Sequence, residues 1–242
     1  MQRSAILILL SALTAAAQPP QPQIPRTADG KPDLSGIWMS AGGLSDRPGG
    51  RAAGPAAPKP DPPPYSEEAQ ARIAKIRADQ NRADPMALCL LVGVPRIMSM
   101  PMPMQIIQTP SQITTLHEAF HAFRIIPTDG RSHPADLDDT YMGDSVGRWE
   151  GDTLVIDVTG FNDVTWLGMG GATIHTDKLR VTERFTMTDR DTIAYEATMV
   201  DPGVFTKPFS GRLRLTRRPT ERIREYECIE NNLDADRLYP KK

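Results

Sequence analysis

The chain has 242 residues, of which 39% are hydrophobic, and this is enough for one globular domain with a sizeable core. Its formal net charge is -2, with acidic and basic residues interspersed and no basic stripe. This charge pattern argues against nucleic acid or an anionic membrane surface as a partner. Length and charge leave the oligomeric state open.

The first 17 residues are typical of a secretory signal. A short charged start, Met1 to Arg3, precedes an apolar run from Ala5 to Leu13 and the small residues Ala15 to Ala17. We expect cleavage after Ala17 and a periplasmic or secreted protein. The apolar run is too short to span a bilayer, so no membrane insertion is expected.

Residues 18–64 form a Pro/Gly-rich arm, in which the block from Asp33 to Trp38 is the segment able to dock, with Trp38 as its anchor. Residues 65–242 are predicted to form the folded domain. It begins with one helix, for which Ser66 is the expected N-cap and which continues to about Arg82 before a stop at Pro85.

The remainder of the chain is a succession of predicted strands separated by turn sequences such as Asp129-Gly130. Antiparallel strands at this spacing favour a mainly β fold, a meander or a sandwich, and we predict a lipocalin-like barrel. The predicted strands are Met104 to Thr109, Gln112 to Glu118, Phe120 to Ile126, Val146 to Trp149, Thr153 to Val158, Lys178 to Thr188, Thr192 to Val200, Arg212 to Arg217 and Arg222 to Cys228.

Glu183 interrupts the apolar face of one of these strands. From Lys178 to Met187 the residues alternate, so that Glu183 shares a face with Leu179, Val181 and Phe185. A carboxylate among apolar neighbours must be paired, hydrogen-bonded or protonated. It is either a structural residue that holds an arginine or a loop backbone, or part of a functional site inside the barrel.

Several motifs resemble those of a family of exported bacterial proteins for which no reaction is settled. The first is Asp29 to Trp38, which matches D-G-K-P-D-L-S-G-x-W. Two positions depart from the family pattern, Phe205 in place of Tyr and Gly168 where Asp often follows Trp-Leu. The other matching segments are Val146 to Val155, Thr159 to Asp163 with Thr165-Trp166, His175 to Phe185, Asp201 to Pro208, and Glu225 to Asn231.

The sequence from His117 to His121 formally matches the H-E-x-x-H motif of zinc proteases. Zinc binding by this motif needs both histidines on one face of a helix and a further ligand downstream. The flanking residues are β-prone and bounded by Pro110 and Pro127, so we predict a strand and no metal site. On a strand His117 and His121 would share a face, which leaves contact with a metal or, for His117, with a substrate as a weaker alternative. The default interpretation is that both are solvated surface histidines.

The long loop before the Glu183 strand carries the other candidate residues. His175 ends this loop, and an imidazole with Glu183 as its partner could move a proton at neutral pH. Alternatively, His175 only caps a backbone carbonyl. Asp163 and Trp166 could offer an acid and an aromatic wall to a ligand. Equally, Asn162 and Asp163 could serve only to form a turn. Tyr141 and Arg148 are lesser candidates, the arginine for a substrate carboxylate.

The two cysteines, Cys89 and Cys228, allow one intramolecular disulfide. In an oxidising compartment, closing so long a loop would contribute about 4 kcal/mol to the free energy of unfolding. The alternative is a pair of buried thiols that pack as small apolar groups.

No nucleotide fingerprint, phosphate-binding glycine loop, nucleophile elbow or haem-attachment motif is visible, so no cofactor is expected. The kind of chemistry that side chains can perform without a cofactor is proton transfer. The leading hypothesis is a cofactor-independent lyase or isomerase, and specifically a lyase that acts on a small aromatic or phenolic compound by decarboxylation, ether opening or a related elimination. Its catalytic residues would be His175, Glu183 and Asp163. The alternative is a non-catalytic periplasmic binding protein for an apolar ligand.

Overall fold

The structure, a computed structural model, describes residues 24–40, 62–79, 82, 84–168 and 172–229. The predicted signal peptide and most of the predicted arm lie outside these residues.

One antiparallel sheet of nine strands dominates the described residues. The strand order is β4-β3-β2-β1-β9-β8-β7-β6-β5, and the terminal strands β4 and β5 contact each other, which curls the sheet into a nearly closed barrel. The prediction of a mainly β, lipocalin-like barrel is therefore confirmed. The strands are β1 (Gly36–Ser40), β2 (Met104–Thr109), β3 (Gln112–His117), β4 (Phe123–Pro127), β5 (Asp144–Glu150), β6 (Thr153–Thr159), β7 (Arg180–Asp189), β8 (Thr192–Val200) and β9 (Phe209–Arg217).

The inward faces of the strands form the core. On β7 and β8 every second side chain is buried, as period-two alternation requires. The apolar core residues of these two strands include Val181, Phe185, Met187, Ile193 and Met199.

Strand β1 occupies the middle of the sheet although its sequence lies in the predicted arm. It pairs with β2 on one side and with β9 on the other. Trp38 is fully buried, and its Nε1 donates a hydrogen bond of 2.8 Å to the Leu34 carbonyl. In the structure this part of the chain is inserted into the sheet as a strand, with Trp38 in the core.

The one α-helix among the described residues, α1 (Glu67–Ala78), begins where the sequence predicts. Ser66 caps it by accepting a hydrogen bond of 3.2 Å from the Ala69 amide. The helix ends before the predicted Arg82, with Asp79 at its C-cap. The helix stops there because Asp79 is a weak helix former and only Ala69 and Ile73 of the helix are buried.

Several predicted strands differ from the structure at their ends; β9, for example, begins at Phe209 and not at Arg212. Two differences concern the turn after β3. The strand expected at Phe120 begins only at Phe123, because Ala119–His121 forms a 3₁₀ turn in which Phe120 and His121 have positive φ angles of 59° and 48°. The prediction of a strand from Arg222 to Cys228 is wrong. Both sides of β9 are already paired, so this segment docks on the turn through side-chain acceptors instead.

Cys89 and Cys228 form a disulfide, with a distance of 5.6 Å between their Cα atoms. It links the segment before β2 to the C-terminal segment, across 139 positions of the chain. The predicted pairing is confirmed. In the described part of the chain, no helix has the length and the apolar run that a bilayer crossing requires.

Candidate functional site

A group of polar side chains lies inside the barrel, around Glu183. Glu183 is fully buried, and on β7 it lies between the buried residues Val181 and Phe185. The predicted inward position of Glu183 is therefore confirmed. A buried carboxylate is costly unless it is paired and hydrogen-bonded, so its partners determine what it can do.

Glu183 receives hydrogen bonds from two other strands. Arg124 on β4 donates through Nη1 to Oε1 at 3.2 Å and through Nη2 to Oε2 at 2.5 Å. The Tyr195 hydroxyl on β8 donates to Oε1 at 2.8 Å. Arg124 Nη2 also donates to Ser145 Oγ on β5 at 2.9 Å. Four strands thus place one carboxylate, one guanidinium and two hydroxyl groups together; we call Arg124, Ser145, Glu183 and Tyr195 the interior cluster.

The interior cluster keeps the Tyr195 hydroxyl protonated. Burial, followed by the neighbouring charge of Glu183 and the hydrogen bond to it, raises the pKa of Tyr195 well above its usual value. The proton of Tyr195 therefore stays on the phenol and points at Glu183. This arrangement holds a buried carboxylate beside a protonated phenol that donates a hydrogen bond to it.

One donor of the interior cluster has no acceptor. Arg124 Nε is buried and has no hydrogen-bond partner among the residues that the structure describes. Most buried polar atoms are paired, so an orphan N–H on a buried cation indicates either a cost of packing or a place for an acceptor from outside the protein.

His117 lies in the same interior, on β3. Its Nε2 and the Thr115 hydroxyl are 3.0 Å apart, and Thr115 is the register partner of Arg124. Burial, assisted by the positive charge of Arg124, lowers the pKa of His117 from 6.5 to about 3. His117 is therefore a neutral imidazole at neutral pH.

Acid should destabilise the fold through His117. Between pH 6.5 and about 3, the unfolded chain binds a proton at His117 that the folded protein excludes. The contribution of His117 to the free energy of unfolding is therefore complete above pH 6.5 and falls as the pH is lowered. Urea titrations at neutral pH and about pH 5 should show a smaller acid loss in His117→Gln than in the wild type. An equal loss in both proteins would contradict this role.

His175 belongs to a different set of hydrogen bonds. Its Nδ1 is 2.9 Å from the Thr176 carbonyl, so Nδ1 carries the proton and Nε2 accepts from the Thr165 hydroxyl at 2.6 Å. Burial is the main cause that lowers the pKa of His175, and the Thr176 carbonyl together with the charges of Asp201 and Asp163 opposes it.

The partners of His175 are Thr165 and Thr176, which lie at the two ends of the loop before β7. Thr176 is held in turn by Asp201, which accepts from the Thr176 amide at 2.5 Å and from its hydroxyl at 2.9 Å. Glu183 has its own partners, Arg124 and Tyr195, and does not bond to His175. The expected acid–base pair of His175 and Glu183 is therefore not formed. The carbonyl-capping alternative describes His175 in this structure.

The other predicted site residues lie apart from the interior cluster. Asp163 is exposed in a turn, whereas Trp166 is buried in the core and bridges to Ile174. Tyr141 is half-buried just before β5. Arg148 is exposed, and its Nη2 pairs with Glu150 at 2.7 Å on the outer surface.

The H-E-x-x-H residues point in different directions. His117 is buried in the barrel, whereas His121 is half-exposed on the turn; the expectation that they share a face is wrong because the positive φ angles reverse the chain. Glu118 and His121 accept hydrogen bonds from the amides of Arg224 and Tyr226. Among the residues that the structure describes, no group of three His, Cys, Asp or Glu side chains could hold a metal ion.

Sequence reasoning did not identify Arg124, Ser145 or Tyr195. Tyr195 could have been found, because it alternates with Ile193 and Ala197 on a strand whose bounds are predicted correctly. Arg124 lies between two apolar neighbours that are exposed, so the alternation of the sequence predicts that Arg124 faces solvent, whereas it faces the interior. The chain matches no family model, no curated protein and no solved structure, so the resemblance to a family of exported proteins stays a prediction from the sequence.

Proposed function

We propose that the protein is a cofactor-free lyase that acts on a small aromatic or phenolic compound inside the barrel, by decarboxylation, ether opening or a related elimination. The observation that carries the proposal is the buried carboxylate of Glu183, held between a cation and a protonated phenol, with Arg124 Nε still open as a donor. The catalytic centre is the interior cluster and not the pair of His175 and Glu183.

Each side chain has a role that follows from its contacts. Arg124 Nε would donate to an anionic oxygen of the substrate, either a carboxylate or a phenolate. Glu183 would accept the proton that leaves the substrate, and the Tyr195 hydroxyl would stabilise the charge and return a proton. Exclusion of water strengthens each of these interactions, since charges attract more strongly in a medium of low polarity.

An aromatic substrate suits the surroundings of the interior cluster. The rings of Phe185 and Tyr195 meet edge to face, with 5.0 Å between their centroids, beside an otherwise apolar core. Because Glu183 and Tyr195 are inaccessible to solvent, binding of the substrate requires the barrel to open. His175 would act at a distance from the substrate, by holding the loop that Thr165 and Thr176 delimit.

A second candidate is a non-catalytic binding protein for an apolar ligand. One observation favours it: both oxygens of Glu183 already receive hydrogen bonds from the chain, so the carboxylate can be a purely structural group. For either function we propose a periplasmic or secreted location. The disulfide supports this location because such bonds persist in oxidising compartments.

The lyase proposal predicts a change of substrate mass without any added cofactor. The purified protein is incubated with phenolic and aromatic acids, and mass spectrometry follows the loss of carbon dioxide, water or formaldehyde. Glu183→Gln keeps the shape of the side chain but removes the base, so turnover should fall by about 100-fold or more. His175→Gln should retain turnover, and Arg148→Gln serves as a surface control.

The outcomes separate the alternatives. Loss of turnover in a folded His175→Gln variant would return the catalytic role to His175. An unchanged compound that co-purifies with the wild type, without turnover of any acid, would indicate the binding protein. Full turnover by Glu183→Gln would contradict the lyase assignment.

A further inference from the structure

The outer surface of the barrel carries a groove that the interior chemistry does not use. It lies across β7, β8 and β9 and has a volume of about 330 Å³. This volume is at the lower end of the range for small-molecule sites. We call it the outer groove; its lining includes Arg184, Thr186, Thr188, Ala194, Glu196 and Arg214.

The outer groove arises from the order of residues on the three strands. In one row Arg184, Glu196 and Arg212 are register neighbours, and in the next row Ala194 lies between Thr186 and Arg214. The small side chain of Ala194 leaves a gap between two larger ones. A register shift at Thr188, between Met187 and Asp189, bends β7 beside this gap.

The charges around the outer groove are unbalanced. Arg184 donates to Glu150 at 2.9 Å, and Arg212 donates to Glu196 at 2.7 Å. Arg214 is exposed and forms no hydrogen bond or ion pair with any residue that the structure describes. The groove therefore presents one unused guanidinium beside threonine side chains.

We propose that the outer groove binds a small organic carboxylate. Arg214 would bind the carboxylate through two parallel N–H groups, which is the geometry that a guanidinium favours. The Thr186 and Thr188 hydroxyl groups already bond within the sheet, at 2.9 Å to Thr153 and at 3.5 Å to the Thr192 carbonyl, so Arg214 supplies the main polar contact. Ala194 and the arginine stems would contact the flat apolar body of the ligand. Tyr195 also lines the groove, but its hydroxyl points inward to Glu183, so the groove and the proposed lyase reaction use opposite faces of β8.

Benzoate is a suitable probe. In ¹⁵N-labelled protein it should shift the amide signals of Thr186, Ala194 and Arg214 together. Arg214→Gln, and separately the neutral probe benzamide, should weaken binding by about tenfold, since each removes a charge-assisted pair. Ala194→Leu fills the gap without a change of charge and should also weaken binding. Arg180→Gln alters an exposed arginine farther along β7 and should leave binding unchanged.

Three results would overturn the proposal. Absence of clustered shifts would show that the groove is not a binding site. Equal affinity for benzoate and benzamide would exclude recognition of the carboxylate. Binding of inorganic phosphate as tightly as benzoate would show that the groove recognises charge alone and has no place for an organic body. The amide spectrum of each variant verifies that the fold is intact.

Discussion

Arg124→Met should lower the free energy of unfolding by about 3–5 kcal/mol, because it leaves the buried carboxylate of Glu183 without a cation. The Arg124 side chain is 2% exposed and Glu183 is 0% exposed, so water cannot replace the lost partner. Tyr195 can supply only one of the hydrogen bonds that Glu183 receives. Urea unfolding at neutral pH measures the difference from the wild type.

Two controls isolate this effect. The double variant Arg124→Met with Glu183→Leu removes both charges and should recover much of the lost stability. Arg148→Met breaks an exposed pair with Glu150 and should change stability little. If Arg124→Met were as stable as Arg148→Met, the buried pair would not be an important structural contact.

Removal of the disulfide should have an effect of similar size. Replacing both Cys89 and Cys228 with alanine opens a loop across 139 positions, which should cost about 4 kcal/mol through the entropy of the unfolded chain. The C-terminal segment would then be held by non-covalent contacts, among them the hydrogen bonds that the backbone amides of Arg224 and Tyr226 donate to side chains of the turn. We therefore expect a lower urea midpoint and faster exchange of the Tyr226 amide.

The wild type under reducing conditions is the matched comparison. It should unfold at the same lower midpoint as the double variant, because both lack the covalent link. Agreement between the two would show that the link, and not the change in side-chain volume, causes the loss of stability. A reduced wild type with the midpoint of the oxidised protein would contradict the stabilising role of this bond.

The sequence predicts the barrel and the inward position of Glu183 because both depend on local alternation. Alternation and turn sequences give the bounds of β2 and β8 directly. The central strand β1 was predicted only as a docking block, because its stability comes from pairing with β2 and β9, which are distant in sequence. Position in a sheet is a tertiary property that a five-residue pattern does not contain.

Arg124, the partner of Glu183, is a second case in which tertiary contacts override the local sequence pattern. Phe123 and Ile125 are 63% and 53% exposed, while Arg124 between them is buried. Hydrophobic patterning would turn β4 the other way. The observed orientation of β4 is explained by Glu183, which lies 59 positions later in the chain. Arg124 points inward because it pairs with this buried carboxylate. The pairing of His175 with Glu183 was inferred from nearness in sequence, which the turn of the chain at Thr176 and Asp201 does not preserve.

The comparison that tests the central claim most directly is the mass-spectrometric assay with wild type and Tyr195→Phe side by side. Phenylalanine keeps the ring that packs on Phe185 but removes the proton held at Glu183. If the interior cluster is catalytic, the wild type should convert at least one phenolic acid, and a folded Tyr195→Phe variant should lose most of that activity. Equal turnover by the two proteins would contradict a catalytic role for the interior cluster.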